Sequence, residues 1–241
     1  MTLKTLVFLH GYGIRGNFWN PIKPFFESKF NQIIVLDLDM KNIDSLLTST
    51  KNFIKNEIHE KYSTDIYIIG HSMGAALALI LAQDLGPEII KSVVAIAPPF
   101  GTQKMKYKKF VKFLIKNQLI PKFLSRPRFF SKQTPKSVQK LLFDQVVPET
   151  EEMIDELLKD TFFITEYLKG ITQDSLVLLS ESDKVVNYKK SLELSSILKG
   201  EFFIYPKAKK VAHNDFIAAP IIAQEVSNKI TNFFFGKNKE W

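Results

Sequence analysis

The sequence predicts an α/β fold, with a mostly parallel central sheet of about six strands, helices on both faces and one helical insertion. Three observations predict it. Short apolar runs alternate with segments of helical spacing at both ends of the chain, several runs stop at turn-forming residues, and residues 101–165 break the alternation with helical spacing alone. Parallel strands need a crossover connection, and a helix is the usual one, so this alternation argues for a sheet covered on both faces.

The apolar run 6–9 reads as a first strand ending at His10-Gly11-Tyr12-Gly13, and the run 33–38 as a second ending at Asp39. A third covers 66–69. A fourth, 93–97, stops at Pro98-Pro99, where missing amide donors end a ladder. Between them, Ile43, Leu46, Leu47, Phe53, Ile54 and Ile58 recur at helical spacing, and 75–85 is a compact apolar helix closed by Gly86-Pro87. The pattern resumes with strands at 176–179 and 202–205 and helices at about 188–198 and 220–235. Residues 1–100 and 166–241 thus form the expected core.

The insertion 101–165 carries amphipathic spacing at Tyr107, Phe110, Val111 and Leu114, and again at Met153, Ile154, Leu157 and Leu158. Its charge is divided. Residues 101–140 hold twelve Lys or Arg and no Asp or Glu, whereas residues 141–166 hold eight acidic residues against Lys159 alone. The chain as a whole is at +8, so everything outside the basic stretch is net acidic.

A chain of 241 residues, 45% hydrophobic and 24% charged, is long and apolar enough to bury one large core. It has no cysteine, which excludes disulfides, thiolate metal sites and a cysteine nucleophile. The N-terminus lacks the signature of a signal peptide and the longest nearly uncharged stretch, 66–83, divides into a strand and a helix. The expectation is a cytoplasmic protein without a transmembrane segment. The basic balance arrives without a nucleic-acid-binding motif, so nucleic acid is not an expected partner.

Gly70-His71-Ser72-Met73-Gly74 has the form G-x-S-x-G and stands between an apolar strand and a helix, the context this motif requires. A sharp strand-to-helix turn lifts the serine above the sheet in a strained conformation, with glycines allowing close backbone passage. The helix that follows turns its N-terminal amides toward developing negative charge. Ser72 is the candidate nucleophile; an incidental serine at a glycine-rich helix start is the bland alternative.

On these residues the chain resembles the α/β-hydrolase superfamily over most of its length outside the insertion, and among its members the compact carboxylesterases, including the pimeloyl-carrier-protein methyl ester esterases. The resemblance implies the order serine, acid, histidine, with the acid after a late strand and the histidine after the last. Asp183, in Ser180-Glu181-Ser182-Asp183, stands at the acid's position, with Glu181 as a nearby competitor, and Ser180 replaces a common glycine. His213 stands at the histidine's position, preceded by Ala212 where the family commonly has glycine. His59 lies on a charged helix and is expected to face solvent, while His10 and His71 belong to the glycine turns.

The resemblance further implies that His10-Gly11-Tyr12-Gly13 forms half of an oxyanion hole, with the backbone N–H groups of Tyr12 and Met73 as donors. It implies a carboxylic ester hydrolase acting through an acyl-Ser72 intermediate without metal or organic cofactor. An aspartate nucleophile, as in dehalogenase and epoxide hydrolase relatives, is excluded by Ser72. The insertion falls where the family places a cap over the nucleophile. Its basic half suggests a solvated face, pairing with the acidic half, or docking of an anionic surface such as an acyl carrier protein or coenzyme A. A small-molecule ester or thioester is the expected substrate, carrier-bound acyl groups are the runner-up, and a ligand-binding protein without turnover is the reading from a different class.

Overall fold

The computed structural model of the chain describes residues 3–101, 122–159, 161 and 163–236. Its centre is a six-stranded sheet made of β1 (Leu3–Leu9), β2 (Gln32–Leu36), β3 (Thr64–His71), β4 (Ile90–Ile96), β5 (Ile171–Ser180) and β6 (Leu198–Tyr205). The strand order is β2-β1-β3-β4-β5-β6 and every pair is parallel. The expected strand count and parallel arrangement are therefore found.

Both faces of the sheet are buried, which explains why the strands read as continuous apolar runs rather than alternating ones. On one face Val7, Leu9, Ile66, Ile68, Val93, Ala95, Val177 and Leu179 pack beneath α1 (Ile43–Asn52) and α2 (Met73–Ile89). On the other, Leu6, Phe8, Ile69, Val94, Ile96, Leu176 and Leu178 meet Phe18, Trp19 and the buried side of α9 (Pro220–Phe235), including Val226 and Ile230. Consecutive residues of one strand supply both cores, as the two-residue strand period requires.

Local chemistry sets the helix ends. Asn42 caps α1 by accepting the Ser45 N–H at 2.8 Å, and α1 continues into a wider π turn, Phe53–Glu60, that still buries Ile54 and Ile58. Helix α2 is broken at Gly86, whose φ of 72° and ψ of 173° precede Pro87, at the expected closure. Residues 188–198 differ from the expected helix. They form only α7 (Tyr188–Ser191) and a 3-10 turn, Leu192–Ser196, because β6 begins at Leu198, where it pairs with Ile171.

Strand β5 is also longer than its apolar run. Its first half alternates, burying Ile171, Gln173 and Ser175 while exposing Thr172 and Asp174. Gln173 faces inward because its amide donates to the Ala82 carbonyl at 2.6 Å.

Between β4 and β5 the described residues form α3 (Lys122–Phe129), α4 (Lys136–Asp144), α5 (Glu151–Leu157) and α6 (Phe163–Tyr167), and they contribute no strand to the sheet. The spacing at Met153 to Leu158 corresponds to α5. The spacing at Tyr107 to Leu114 lies outside the described residues. Among the described residues no helix is long and apolar enough to cross a membrane.

The strand order decides where a site can form. From β1 the chain moves to β2 on one side and then crosses to β3 on the other, so a crevice opens beyond the C-terminal ends of β1 and β3. At this point α2 passes very close to the end of β1. A β-carbon added at Gly74 would lie 2.3 Å from the Leu9 carbonyl oxygen and 2.4 Å from that of His10. We expect Gly74→Ala to lose about 3 kcal/mol, because backbone rather than a flexible side chain must give way. Urea unfolding tests this, and a midpoint equal to that of the unmodified chain would mean that the close approach does not constrain the fold.

Candidate functional site

Ser72 is the single residue between β3 and α2, and its φ of 55° and ψ of −122° are strained for a residue with a β-carbon. Its surroundings over-determine that conformation. The Ser72 N–H donates to the Ile96 carbonyl of β4 at 2.8 Å, and the Ser72 carbonyl accepts from Ala75 and Ala76 at 2.9 and 3.2 Å. A β-carbon at Gly70 would lie 2.3 Å from the Gly74 carbonyl oxygen, so the turn can be this tight only with glycine on both sides. Met73 opens α2, where the first N–H groups have no acceptor inside the helix.

The turn after β1 lies against the same serine, since a β-carbon at Gly11 would be 3.0 Å from Ser72 Cβ. His10 locks this turn. Its Nδ1–H donates to the Gly11 carbonyl at 2.8 Å and its Nε2 accepts from the Leu38 N–H at 2.9 Å, a pattern that only the neutral ring can make. Farther along, Gly13 at φ 71° donates its N–H to Glu149 at 3.1 Å and accepts from the Val147 N–H at 2.9 Å. Arg15 reaches the same Glu149 oxygen at 2.9 Å. The loop carrying Tyr12 is thus tied to the chain between α4 and α5; burial, followed by the charge of Glu149, raises the Tyr12 phenol pKa.

The two loops at the far end of the sheet bring Asp183 and His213 together. His213 Nδ1 lies 2.8 Å from Asp183 Oδ2, with both side chains almost fully buried. An ionised carboxylate can only accept, so the ring donates from Nδ1 and keeps Nε2 as a free base. The second oxygen of Asp183 accepts the N–H groups of Val185 and Val186 at 2.7 and 2.9 Å. Burial pushes the Asp183 pKa up, but the charge of His213 and these hydrogen bonds outweigh it and hold the group below its ordinary value.

Glu181, the sequence competitor, points elsewhere, accepting the Lys207 N–H at 2.7 Å. Ser180, at the position of a common glycine, joins the two loops. Its hydroxyl donates to the Val211 carbonyl at 2.6 Å and accepts from the Ser182 N–H at 3.1 Å.

His71 connects the serine turn to the histidine loop. Its Nε2–H donates to the His213 carbonyl at 2.9 Å, and the two rings lie 4.7 Å apart between centroids. Phe18 and Trp19 enclose it, and burial, reinforced by repulsion from His213, lowers its pKa to about 3. His59, expected to face solvent, instead places Nδ1 at 3.0 Å from the Thr64 carbonyl.

Sequence reasoning passed over the connecting roles of His71 and Glu149. His71 had a signal in the motif itself. Glu149 has none, since its partner Gly13 is distant in sequence.

A family described as Hydrolase_4, serine aminopeptidase, S33, matches residues 36–214. No curated protein matches the chain. Among solved structures, a lipase-esterase related protein from Clostridium acetobutylicum is 20% identical, with 96% of this chain and 95% of that one covered and a TM-score of 0.76. An esterase from Exiguobacterium antarcticum is 16% identical, covers 96% and 92%, and has a TM-score of 0.73. A bromoperoxidase from Bacillus anthracis is 15% identical, covers 97% and 92%, and has a TM-score of 0.77. At these identities the likeness establishes a common fold.

Both His10 and His71 have folded-state pKa values below the ordinary 6.5. Below pH 6.5 the unfolded chain therefore binds protons that the folded chain refuses, and the stability due to neutral burial is full above 6.5 and lost as the pH falls. For His71 the loss continues toward pH 3. Melting temperatures measured across this window should fall more steeply for the unmodified chain than for His71→Gln, which has no proton to take up; equal slopes would contradict the assignment.

Proposed function

The chain belongs to the serine aminopeptidase S33 family of α/β-hydrolases, and from this membership we propose a carboxylic ester hydrolase that works through an acyl-Ser72 intermediate. The observation that carries the reading is the buried 2.8 Å bond between Asp183 and His213, whose loop is joined by His71 to the turn of Ser72. Asp183 fixes the tautomer that leaves His213 Nε2 basic and stabilises the ring when it becomes charged.

In this mechanism Ser72 Oγ attacks the ester carbonyl while His213 Nε2 takes its proton. The oxyanion forms beside the N–H groups of Tyr12 and Met73, donors fixed by the β1 turn and by the start of α2. The intermediate then expels the alcohol or thiol, which receives the proton from His213. Water, deprotonated by the same nitrogen, attacks the acyl-enzyme; the acyl–Oγ bond then breaks, releasing the acid while Ser72 Oγ takes the proton back from His213.

Residues 101–165 act as the cap that shapes the acyl pocket, a role supported by the bonds of Glu149 and Val147 to Gly13. A carrier-linked acyl group is the second reading, motivated by the twelve Lys and Arg residues in the sequence of 101–140, a charge that suits an anionic partner. Comparing free methyl esters with acyl-carrier substrates at low and high salt separates the two, since docking by exposed charge weakens with salt.

A panel of p-nitrophenyl esters of increasing acyl length, with aminoacyl anilides beside them, tests the primary reading. The protein should hydrolyse esters and react with a fluorophosphonate, and Ser72→Ala should do neither. A protein that turns over nothing in the panel and is not labelled at Ser72 is instead a binding protein on a hydrolase fold. Asp183→Asn should lower kcat on the order of 10⁴-fold, since it favours the wrong tautomer of His213; a change below about ten-fold would remove Asp183 from the mechanism.

A further inference from the structure

Two residues beyond His213, the first residue of α8 (Asp215–Ala218) is a carboxylate with no exposure at all. Ser131 N–H reaches both of its oxygens, at 3.1 and 3.2 Å, Thr134 Oγ1 donates to Oδ1 at 2.7 Å, and Ala212 N–H donates to Oδ2 at 2.8 Å. Among the described residues no Lys, Arg or His forms an ion pair with it. A buried carboxylate is stable only when its lone pairs are filled, and here hydrogen-bond donors fill them.

The donors come from two places. Ala212 precedes His213, whereas Ser131 and Thr134 belong to the segment between α3 and α4. The residue just before that segment, the last of α3, makes a second contact, because the Asn214 N–H donates to the Phe129 carbonyl at 2.8 Å. With His71 on the His213 carbonyl, the backbone is held at three consecutive residues, 212, 213 and 214. Two of these three ties, those at 212 and 214, lead to residues 129–134.

We propose that Asp215 is a positioning residue through which the segment Phe129–Thr134 fixes His213 for proton transfer. This rests on the hydrolase reading above. Asp215 does not touch substrate; it acts by holding the Ala212 N–H and the Ser131–Thr134 turn on one rigid group. The N–H groups of Ser131 and Ala212 can only donate, and the Ser131 N–H meets both oxygens, so neither oxygen position suits a donor. Asparagine would turn an NH2 group toward at least one of these N–H groups. The consequence is that this end of the cap moves only with the histidine loop, not independently over it.

The test uses the full chain with D215N and T134V, the second removing one donor from the far side without changing side-chain shape. Folding is checked by near-UV circular dichroism and melting. The readouts are kcat and KM on the best ester of the panel, and the downfield proton resonance of the His213 Nδ1–H bonded to Asp183. D215N should lower kcat by about ten- to a hundred-fold with KM within about two-fold, and should shift or broaden the resonance. T134V should change both in the same direction and by less. Folded variants that keep the wild-type kcat and resonance overturn the proposal, as does a lowered melting temperature with both readouts unchanged. If D215N does not fold, T134V decides by the same criteria. If the unmodified protein hydrolyses no ester, the functional reading fails and the resonance alone decides whether Asp215 positions His213.

Discussion

The close passage of α2 over the end of β1 is the constraint on which the site depends. Gly74 sits where a β-carbon would strike the carbonyl oxygens of Leu9 and His10, and Gly70 sits where one would strike Gly74 itself. Only this approach brings the turn after β1 against the turn after β3 in one crevice. Ser72, between the two glycines, has no room for an ordinary backbone conformation and takes φ 55°. The strain is held by the hydrogen bond to Ile96 and by the first amides of α2, so the position of Ser72 follows from packing rather than from a local preference of serine.

The rest of the site is organised by buried polar groups that each bridge two loops. His10 joins the ends of β1 and β2, His71 joins the serine turn to His213, and Ser180 joins the acid loop to the residue two places before His213. Each is fully or almost fully buried. Such groups are costly unless paired, and for that reason they specify one arrangement of the loops they connect. Burial keeps His10 and His71 neutral, so they act through hydrogen bonds alone.

Two carboxylates tie the two ends of residues 129–150 to the core. Glu149 bonds to Gly13 in the loop of Tyr12, and Asp215 bonds to Ser131 and Thr134 from the loop of His213. One end meets the proposed oxyanion donors and the other the proposed base. The segment expected to govern substrate choice is therefore also bonded to the loops expected to carry the chemistry, and changes in one will be felt by the other.

The amino-acid sequence by itself determined the six parallel strands, the strand-to-helix setting of Ser72, and the final helix at 220–235, because each leaves a local trace in apolar runs, glycine placement or helical period. It left β5 and β6 short, since two of the three inward residues of early β5 are Gln173 and Ser175, whose polar side chains find partners only in the folded chain. The order of serine, acid and histidine nominated His213, and spacing from the end of the apolar run favoured Asp183 over Glu181. Tertiary structure supplies the contact itself, bringing Asp183 to 2.8 Å from His213 while turning Glu181 to Lys207. It alone also decided the ties of Glu149 and Asp215, which join residues more than eighty positions apart. The physical reason is common to all: a hydrogen bond between distant segments requires the chain to close first, and no run of neighbouring residues encodes its partner.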